Sequence, residues 1–185
     1  MGKPYSHKAQ PYLDAIANAV FSDRSVRDWL VTTTRHEPAY FGAKSLDREQ
    51  RARRPDTKQP FYCNYWRCKY SPCRCRTDGK FLETDAVFFL EAVSGRRLAA
   101  HVEFKHPGER FGPGQAEGYP LRAACWADRD RCPGTVLPHD DWLTVIFCGD
   151  AEIHDRSVDP FDRRIGHSEA RATIPGYPEF VERTG

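Results

Sequence analysis

Two apolar runs joined by a short polar turn constrain the fold of this 185-residue chain more than any other feature. The first run covers residues 86–90, the turn contains Ser94 and Gly95, and the second run covers residues 98–105. Runs of strand length on either side of a serine-glycine turn are typical of a β-hairpin. We therefore expect two adjacent strands near the middle of the sequence.

The second run alternates polar and apolar side chains. His101, Glu103 and Lys105 fall on one face of such a strand, whereas Val102 and Phe104 fall on the other. A buried acid and lysine on one face cost desolvation energy unless they bind something. The polar face is therefore a candidate functional site, and the apolar face can pack on a core.

An acid stands at the head of the first run, where Asp85 precedes the apolar stretch. Asp85 and Glu103 could hold one Mg²⁺ or Mn²⁺ ion, because Mg²⁺ prefers carboxylate oxygens and keeps several waters. The carbonyl of Phe104 offers a further oxygen, and Lys105 could stabilise hydroxide or the pentacovalent oxyanion beside the metal. The pattern indicates metal-dependent phosphodiester hydrolysis. The alternatives are a solvated ion pair on an edge strand and a decayed site that keeps its fold.

The order of these residues resembles the PD-(D/E)XK nuclease superfamily, in which an Asp precedes a Glu-x-Lys strand. Asp85, Glu103 and Lys105 match that pattern, and the Gly-rich loop followed by Gln115 is similar to the VRR-type nucleases. The resemblance covers about residues 83–126. It implies a restriction-endonuclease-like α/β fold, in which helices flank a mixed central sheet. It also implies that Gln115 begins a helix and contacts the metal-bound water or the scissile phosphate.

The matching segment offers further candidates and one departure. Tyr119 and Arg122 are side chains that can contact phosphate, whereas Thr84 stands where the motif has its proline. For His101, on the face of Glu103, a general base, a phosphate contact and a structural histidine are all open. The acids available as a further ligand near the first helix are Asp14, Asp23 and Asp28.

Four of the seven cysteines lie within thirteen positions, at Cys63, Cys68, Cys73 and Cys75. Four thiolates can close a tetrahedral zinc site and brace a segment that lacks its own core. The spacing from Cys73 to Cys75 is tight for two ligands of one ion, so an iron–sulfur cluster and unligated thiols stay open beside zinc. We expect a cysteine-rich, metal-binding insert over residues 61–80.

Basic and aromatic residues are interleaved through this insert. Basic side chains bind the phosphate backbone, and aromatic rings stack on unpaired bases. The insert is therefore a candidate nucleic-acid-binding surface, and a solvated surface without such a role is the alternative. The predicted contacts are Arg67, Lys69, Arg74 and Arg76.

The length of the chain favours a single domain over residues 1–185. Its sequence pattern predicts helices at 9–21 and 115–128, a buried strand at 142–148 and a loop-rich tail from residue 151. No apolar stretch reaches the ~20 residues of a membrane span, and the first residues lack a signal-peptide core, so we expect a cytoplasmic protein. The expected partner is nucleic acid, with DNA preferred, and a homodimer is open. The alternative function is a non-catalytic nucleic-acid-binding module braced by a cysteine-bound metal.

Overall fold

The structure is a computed structural model that describes residues 6–55, 58–66 and 83–179, with side chains from residue 9 onward. Its helices are α1 (Ser6–Ser22), α2 (Arg24–Val31), α3 (Glu37–Tyr40), α4 (Asp47–Arg53), α5 (Gln115–Ala127) and α6 (His167–Thr173). Its strands are β1 (Lys44–Ser45), β2 (Cys63–Tyr65), β3 (Thr84–Glu91), β4 (Arg97–Phe104), β5 (Asp141–Cys148) and β6 (Arg163–Gly166). Two 3₁₀ helices, Glu152–His154 and Arg156–Val158, follow β5.

The six strands of the described ranges form one mixed sheet. Its order is β1-β3-β4-β5-β6, and β2 also pairs with β3. β3 and β4 form the antiparallel hairpin that the two apolar runs predict, whereas β4, β5 and β6 run parallel to one another. The apolar run in β5 suits a strand that is covered on both faces. The predicted α/β class, with helices around a mixed sheet, is confirmed.

Helices cover both faces of this sheet. On one face, α1, α2 and α6 enclose a hydrophobic core that includes Val102 and Phe104 of β4. On the other face, Trp126 of α5 packs against Val87 and Ala99 of the hairpin. Full burial of a side chain such as Val87, Val102 or Phe104 contributes roughly 1.5–3 kcal/mol to the free energy of folding. The predicted alternation along β4 is confirmed, because its even-numbered apolar residues face α1 and its odd-numbered residues face α5.

The loop between β4 and α5 ends in a left-handed residue. Gly114 has φ = +68°, a conformation that glycine adopts without the strain a Cβ brings. The helix then begins at Gln115, which is where the resemblance to the VRR-type nucleases implies that it begins. This turn determines which way the first side chains of α5 face.

The tail after residue 151 is more regular than its composition indicates. β6 adds a parallel edge strand and α6 follows it directly, so the prediction of a loop-rich tail is wrong for residues 163–173. β6 has only four residues and begins with two arginines, which leaves no periodic pattern to recognise. In the ranges given above, no helix is long and apolar enough to cross a membrane.

Candidate functional site

The two predicted acids of the hairpin lie side by side. Because the strand register pairs Ala86 with Val102, the next residues toward this end of the two strands are Asp85 and Glu103. Asp85 Oδ2 also accepts a hydrogen bond of 2.8 Å from the N–H of Phe104. This bond holds the Asp85 carboxylate against the strand that carries the Glu-x-Lys motif.

Glu103, Lys105 and Gln115 bond one another in a closed ring. Lys105 Nζ lies 3.1 Å from Glu103 Oε1. Gln115 Nε2 donates to the same oxygen at 2.7 Å, and Lys105 Nζ donates to Gln115 Oε1 at 3.3 Å. Glu103 and Lys105 are only 1% and 3% exposed. The structure therefore brings the four residues of the predicted catalytic set together.

Tyr119 holds the remaining oxygen of Glu103. Its hydroxyl donates a hydrogen bond to Glu103 Oε2, and its ring is completely buried. Gln115 and Tyr119 are four residues apart on α5, so they lie on the same face of the helix. One turn of α5 therefore orients both oxygens of the carboxylate.

Arg122 is a buried cation that α5 places against the start of β3. Its Nε donates to Thr84 Oγ1 at 2.7 Å, and Nη2 donates to the carbonyl of Glu83 at 3.0 Å. The guanidinium also lies 4.6 Å from the centre of the Tyr119 ring. These contacts order the chain that leads into Asp85. Direct contact of Tyr119 or Arg122 with a nucleic acid stays a prediction.

Sequence reasoning missed the inward role of Tyr119 and Arg122. It assigned both to contact with phosphate and gave them no role inside the protein, whereas the structure buries both side chains. The available signal was spacing, because residues four apart on a helix that starts at Gln115 must share the face of that glutamine. That face is turned toward Glu103.

Acidic groups crowd this end of the hairpin. Burial raises the pKa of Asp85 well above its usual range, and the negative charge of Glu103 raises it further. Burial and the same charge raise the pKa of Glu83 to about 7. Carboxylates that repel one another in a sheltered position are stabilised by a bound cation.

The donor atoms suit a hard divalent cation. Asp85 and Glu103 provide only oxygen ligands, which Mg²⁺ and Mn²⁺ favour. Within the described parts of the chain, no group of three or more acidic, histidine or cysteine side chains is arranged to hold a metal ion. Two protein ligands with water in the other positions are a usual arrangement for Mg²⁺. The residues present therefore fit a metal of this class.

His101 lies on the same strand face but outside the site. It is completely buried, and its ring centre is 5.2 Å from that of Trp126. Neither ring nitrogen has a hydrogen-bond partner among the residues described. Burial lowers its pKa well below the usual value, so the ring is neutral at pH 7. Of the three roles left open for His101, its complete burial against Trp126 supports the structural one.

Cys63 is a member of the predicted cysteine cluster, and it lies in the core on the α1 face. Burial raises the pKa of its thiol to about 12, so it is protonated at pH 7. Gln10 Nε2 lies 3.7 Å from the sulfur. The other members of the cluster, Cys68, Cys73 and Cys75, lie outside the described residues. The same holds for the predicted nucleic-acid contacts, which are Arg67, Lys69, Arg74 and Arg76. The zinc site and the nucleic-acid-binding surface therefore stay predictions.

No protein-family model, curated protein or solved structure matches this chain with significance. The geometry around Asp85 and Glu103 is therefore the basis for assigning a function.

Proposed function

We propose that this chain is a divalent-metal-dependent nuclease that hydrolyses phosphodiester bonds, with DNA as the expected substrate. The observation that carries the proposal is the convergence of Asp85, Glu103, Lys105 and Gln115 at one end of the β3–β4 hairpin. A buried acid and lysine beside a second acid are costly for stability alone. Their arrangement is explained if they bind a cation and an anionic substrate.

Each side chain has a distinct role in this proposal. Asp85 and Glu103 would hold Mg²⁺ or Mn²⁺, which when bound supplies an activated water and neutralises charge on the phosphate. Lys105 carries the positive charge that stabilises negative charge developing on the phosphoryl oxygens. Gln115 holds the Lys105 ammonium and the Glu103 carboxylate in place through its two hydrogen bonds. Its amide could also contact the water or the phosphate.

The sheet supports a restriction-endonuclease-like architecture for the core. The resemblance implies a mixed sheet between helices. In this chain the β3–β4 hairpin is followed by α5 and then by β5, which pairs with β4 in parallel. The site lies where α5 meets the hairpin. The cytoplasmic location, the cysteine-bound zinc and the homodimer stay predictions beside this proposal.

Incubation of the purified protein with circular and linear DNA tests the proposal. We expect cleavage with Mg²⁺ or Mn²⁺ and none with excess EDTA. The Glu103→Gln variant should bind DNA but not cut it, because the amide is a poor metal ligand. Glu117→Gln, which alters an exposed acid of α5, is the matched control and should cut at the wild-type rate.

The same assay separates the alternative function. Wild-type protein that binds DNA but leaves it intact with either metal would identify a non-catalytic nucleic-acid-binding module. Cleavage that persists in Glu103→Gln would show that the hairpin is not the catalytic site. Thermal unfolding of each variant establishes that it is folded.

A further inference from the structure

The outward side of α4 carries three arginines that have no acidic partner. Arg48, Arg51 and Arg53 are all exposed, and they define what we call the α4 surface. Within the described ranges none of them belongs to an ion pair, and the same is true of Asp47 and Glu49 on this helix. The α4 surface is therefore a compact group of positive charges that the protein itself leaves unneutralised.

The inward side of α4 fixes the helix on the sheet. Gln50 is 0% exposed, and its Nε2 donates to the carbonyl of Val87 at 2.7 Å and to the hydroxyl of Tyr65 at 2.9 Å. One turn earlier, Leu46 packs in the hydrophobic cluster on the α5 face of the sheet. These contacts hold α4 on the face toward which Asp85 points, and they leave the arginines on the outside.

The guanidinium of Arg51 is positioned by an aromatic ring and has unused donors. Its Cζ lies 4.2 Å from the centre of the buried Phe61 ring. Neither Arg51 nor Arg48 donates a hydrogen bond to any other residue that the structure describes. A guanidinium stacked on a ring keeps its N–H groups available for an anion. Like charges three residues apart on a helix repel each other, so a bound anion also relieves the repulsion between Arg48 and Arg51.

The α4 surface lies near the proposed catalytic site. Arg54, the residue after α4, donates to the carbonyl of Cys63 in β2 at 2.7 Å. Cys63 pairs with Ala86, the neighbour of Asp85. β2 and β4 pair with opposite edges of β3, so the end of α4 is about two strand spacings, or ~10 Å in the plane of the sheet, from Glu103. That distance is about three base steps along a nucleic-acid helix.

We propose that Arg48 and Arg51, with Arg53 beside them, bind the phosphate backbone of the nucleic acid on the β2 side of the proposed cleavage site. This inference rests on the proposed nuclease function, which brings a nucleic acid to the neighbouring hairpin. The guanidinium fork matches the geometry of phosphate, and it can donate two parallel hydrogen bonds to it. Contacts with the backbone carry no sequence information, so the affinity they add is the same for every sequence.

The salt dependence of DNA binding tests this proposal. Titration of a fluorescent duplex in EDTA, at several NaCl concentrations, measures affinity without cleavage. The slope of log K against log[NaCl] should decrease in magnitude by about one in Arg48→Gln and by about two in Arg48→Gln/Arg51→Gln. The dissociation constant of the double variant should rise by roughly tenfold or more.

The matched control is Arg24→Gln/Arg171→Gln, which removes two exposed charges from α2 and α6 on the opposite face of the sheet. It should bind DNA as the wild type does. Thermal unfolding establishes that each variant is folded. Wild-type affinity and slope in folded Arg48→Gln/Arg51→Gln would overturn the proposal. Binding of polyglutamate as tight as that of DNA, and weakened by the same substitutions, would also overturn it and would assign the surface to an acidic protein.

Because binding is measured in EDTA, this inference and the nuclease function can fail separately. Weaker DNA binding by Arg48→Gln/Arg51→Gln than by the control variant supports the α4 surface even if the wild type cuts no DNA. Metal-dependent cleavage together with unchanged DNA affinity in the double variant would refute the α4 surface and leave the nuclease function standing.

Discussion

Glu103 has hydrogen-bond partners on both carboxylate oxygens. Lys105 and Gln115 bond Oε1, and Tyr119 bonds Oε2. Because Glu103 is 1% exposed, water cannot replace a lost donor without rearrangement. Groups that are fixed before the reaction need no reorganisation when charge develops, which is the property that a catalytic carboxylate requires.

Asp85→Asn tests the metal ligands directly. The amide keeps an oxygen that can accept from the N–H of Phe104, but it lacks the charge that attracts the cation. Calorimetry with Mn²⁺ should show binding to the wild type and none to Asp85→Asn. At a Mn²⁺ concentration of about 100 times Kd, the wild type should gain about 2.7 kcal/mol in free energy of unfolding, and the variant should gain nothing.

The control for this experiment is Glu117→Gln, which should bind Mn²⁺ as the wild type does. Equal Mn²⁺ affinity in the wild type and Asp85→Asn would remove Asp85 from the ligand set. In that case the raised pKa of this carboxyl would be a consequence of burial and of the negative charges of Glu103 and Glu83, without a role in metal binding.

The acids, the lysine and Gln115 of the site are predictable from sequence, whereas the inward orientation of Tyr119 is indicated only by its spacing from Gln115. Side chains alternate along a strand, so the spacing of Glu103 and Lys105 places them on one face. Tyr119 and Arg122 are on a helix, where amphipathic pattern alone does not show that a polar side chain faces inward. Their burial follows from bonds to β3 and β4, which are distant in sequence.

At the scale of elements, α5 is the part that organises the site. It supplies Gln115 and Tyr119 to Glu103 and Arg122 to the start of β3. It also packs on the hairpin through Trp126. The helix therefore supports the site residues, and we expect a change on its inner face to affect the proposed reaction without contact with the proposed substrate.

Tyr119→Phe tests this support. The ring is retained, but Glu103 Oε2 loses its donor in a buried position. We expect a loss of roughly 1–3 kcal/mol in free energy of unfolding. We also expect metal affinity or the cleavage rate constant to fall by roughly 10–100-fold, as is typical when a group that orients a metal ligand is removed. Chemical denaturation and single-turnover cleavage measure the two effects.

Tyr40→Phe is a matched control at the other end of the sheet. The Tyr40 hydroxyl donates to Asp141 Oδ2 at 2.6 Å. Asp141 lies five residues before Ile146, the β5 partner of Glu103, which is roughly 16 Å along the strand. Tyr40→Phe should lower stability and leave the cleavage rate unchanged. A similar loss of activity in Tyr119→Phe and Tyr40→Phe would show that the lower activity is a consequence of lower stability.

The long elements are predictable from sequence because they carry periodic apolar residues. The hairpin, α1, α5 and β5 all follow such patterns, and each contributes to a hydrophobic core. β1, β2 and β6 have only two to four residues. Strands this short are specified by pairing with β3 or β5, and pairing between distant segments leaves no local signal.

At the scale of the whole molecule, His167 connects the last helix to the site strand. Its Nε2 lies 2.8 Å from the carbonyl of Lys105, and its Nδ1 lies 2.8 Å from the hydroxyl of Tyr177. A neutral ring satisfies both bonds, with Nε2–H as donor and Nδ1 as acceptor. Burial lowers the pKa of His167 to about 4. The titratable groups that influence it electrostatically are His106, Asp150 and Glu152.

This histidine should make stability depend on pH. The unfolded chain binds a proton at His167 near pH 6.5, whereas the folded protein resists that proton until about pH 4. The free energy of unfolding therefore falls as pH decreases from 6.5 to 4, by up to about 3 kcal/mol from this residue. Denaturation at several pH values in EDTA measures the slope.

His167→Gln isolates this contribution from that of other groups. Glutamine can donate to the carbonyl of Lys105, but it does not titrate. The variant should be less stable than the wild type at pH 7 and should lose less stability between pH 7 and pH 4.5. Parallel pH profiles for the two proteins would exclude His167 as the cause.

The proposed nuclease function is tested most directly by the single-turnover rate of DNA cleavage in Lys105→Gln. The variant keeps an N–H donor for Glu103 and removes the positive charge beside the proposed metal. We expect the rate constant with Mg²⁺ to fall by roughly 100-fold or more, while DNA affinity and thermal unfolding stay close to those of the wild type. Cleavage by folded Lys105→Gln at the wild-type rate would show that the hairpin site does not carry the reaction.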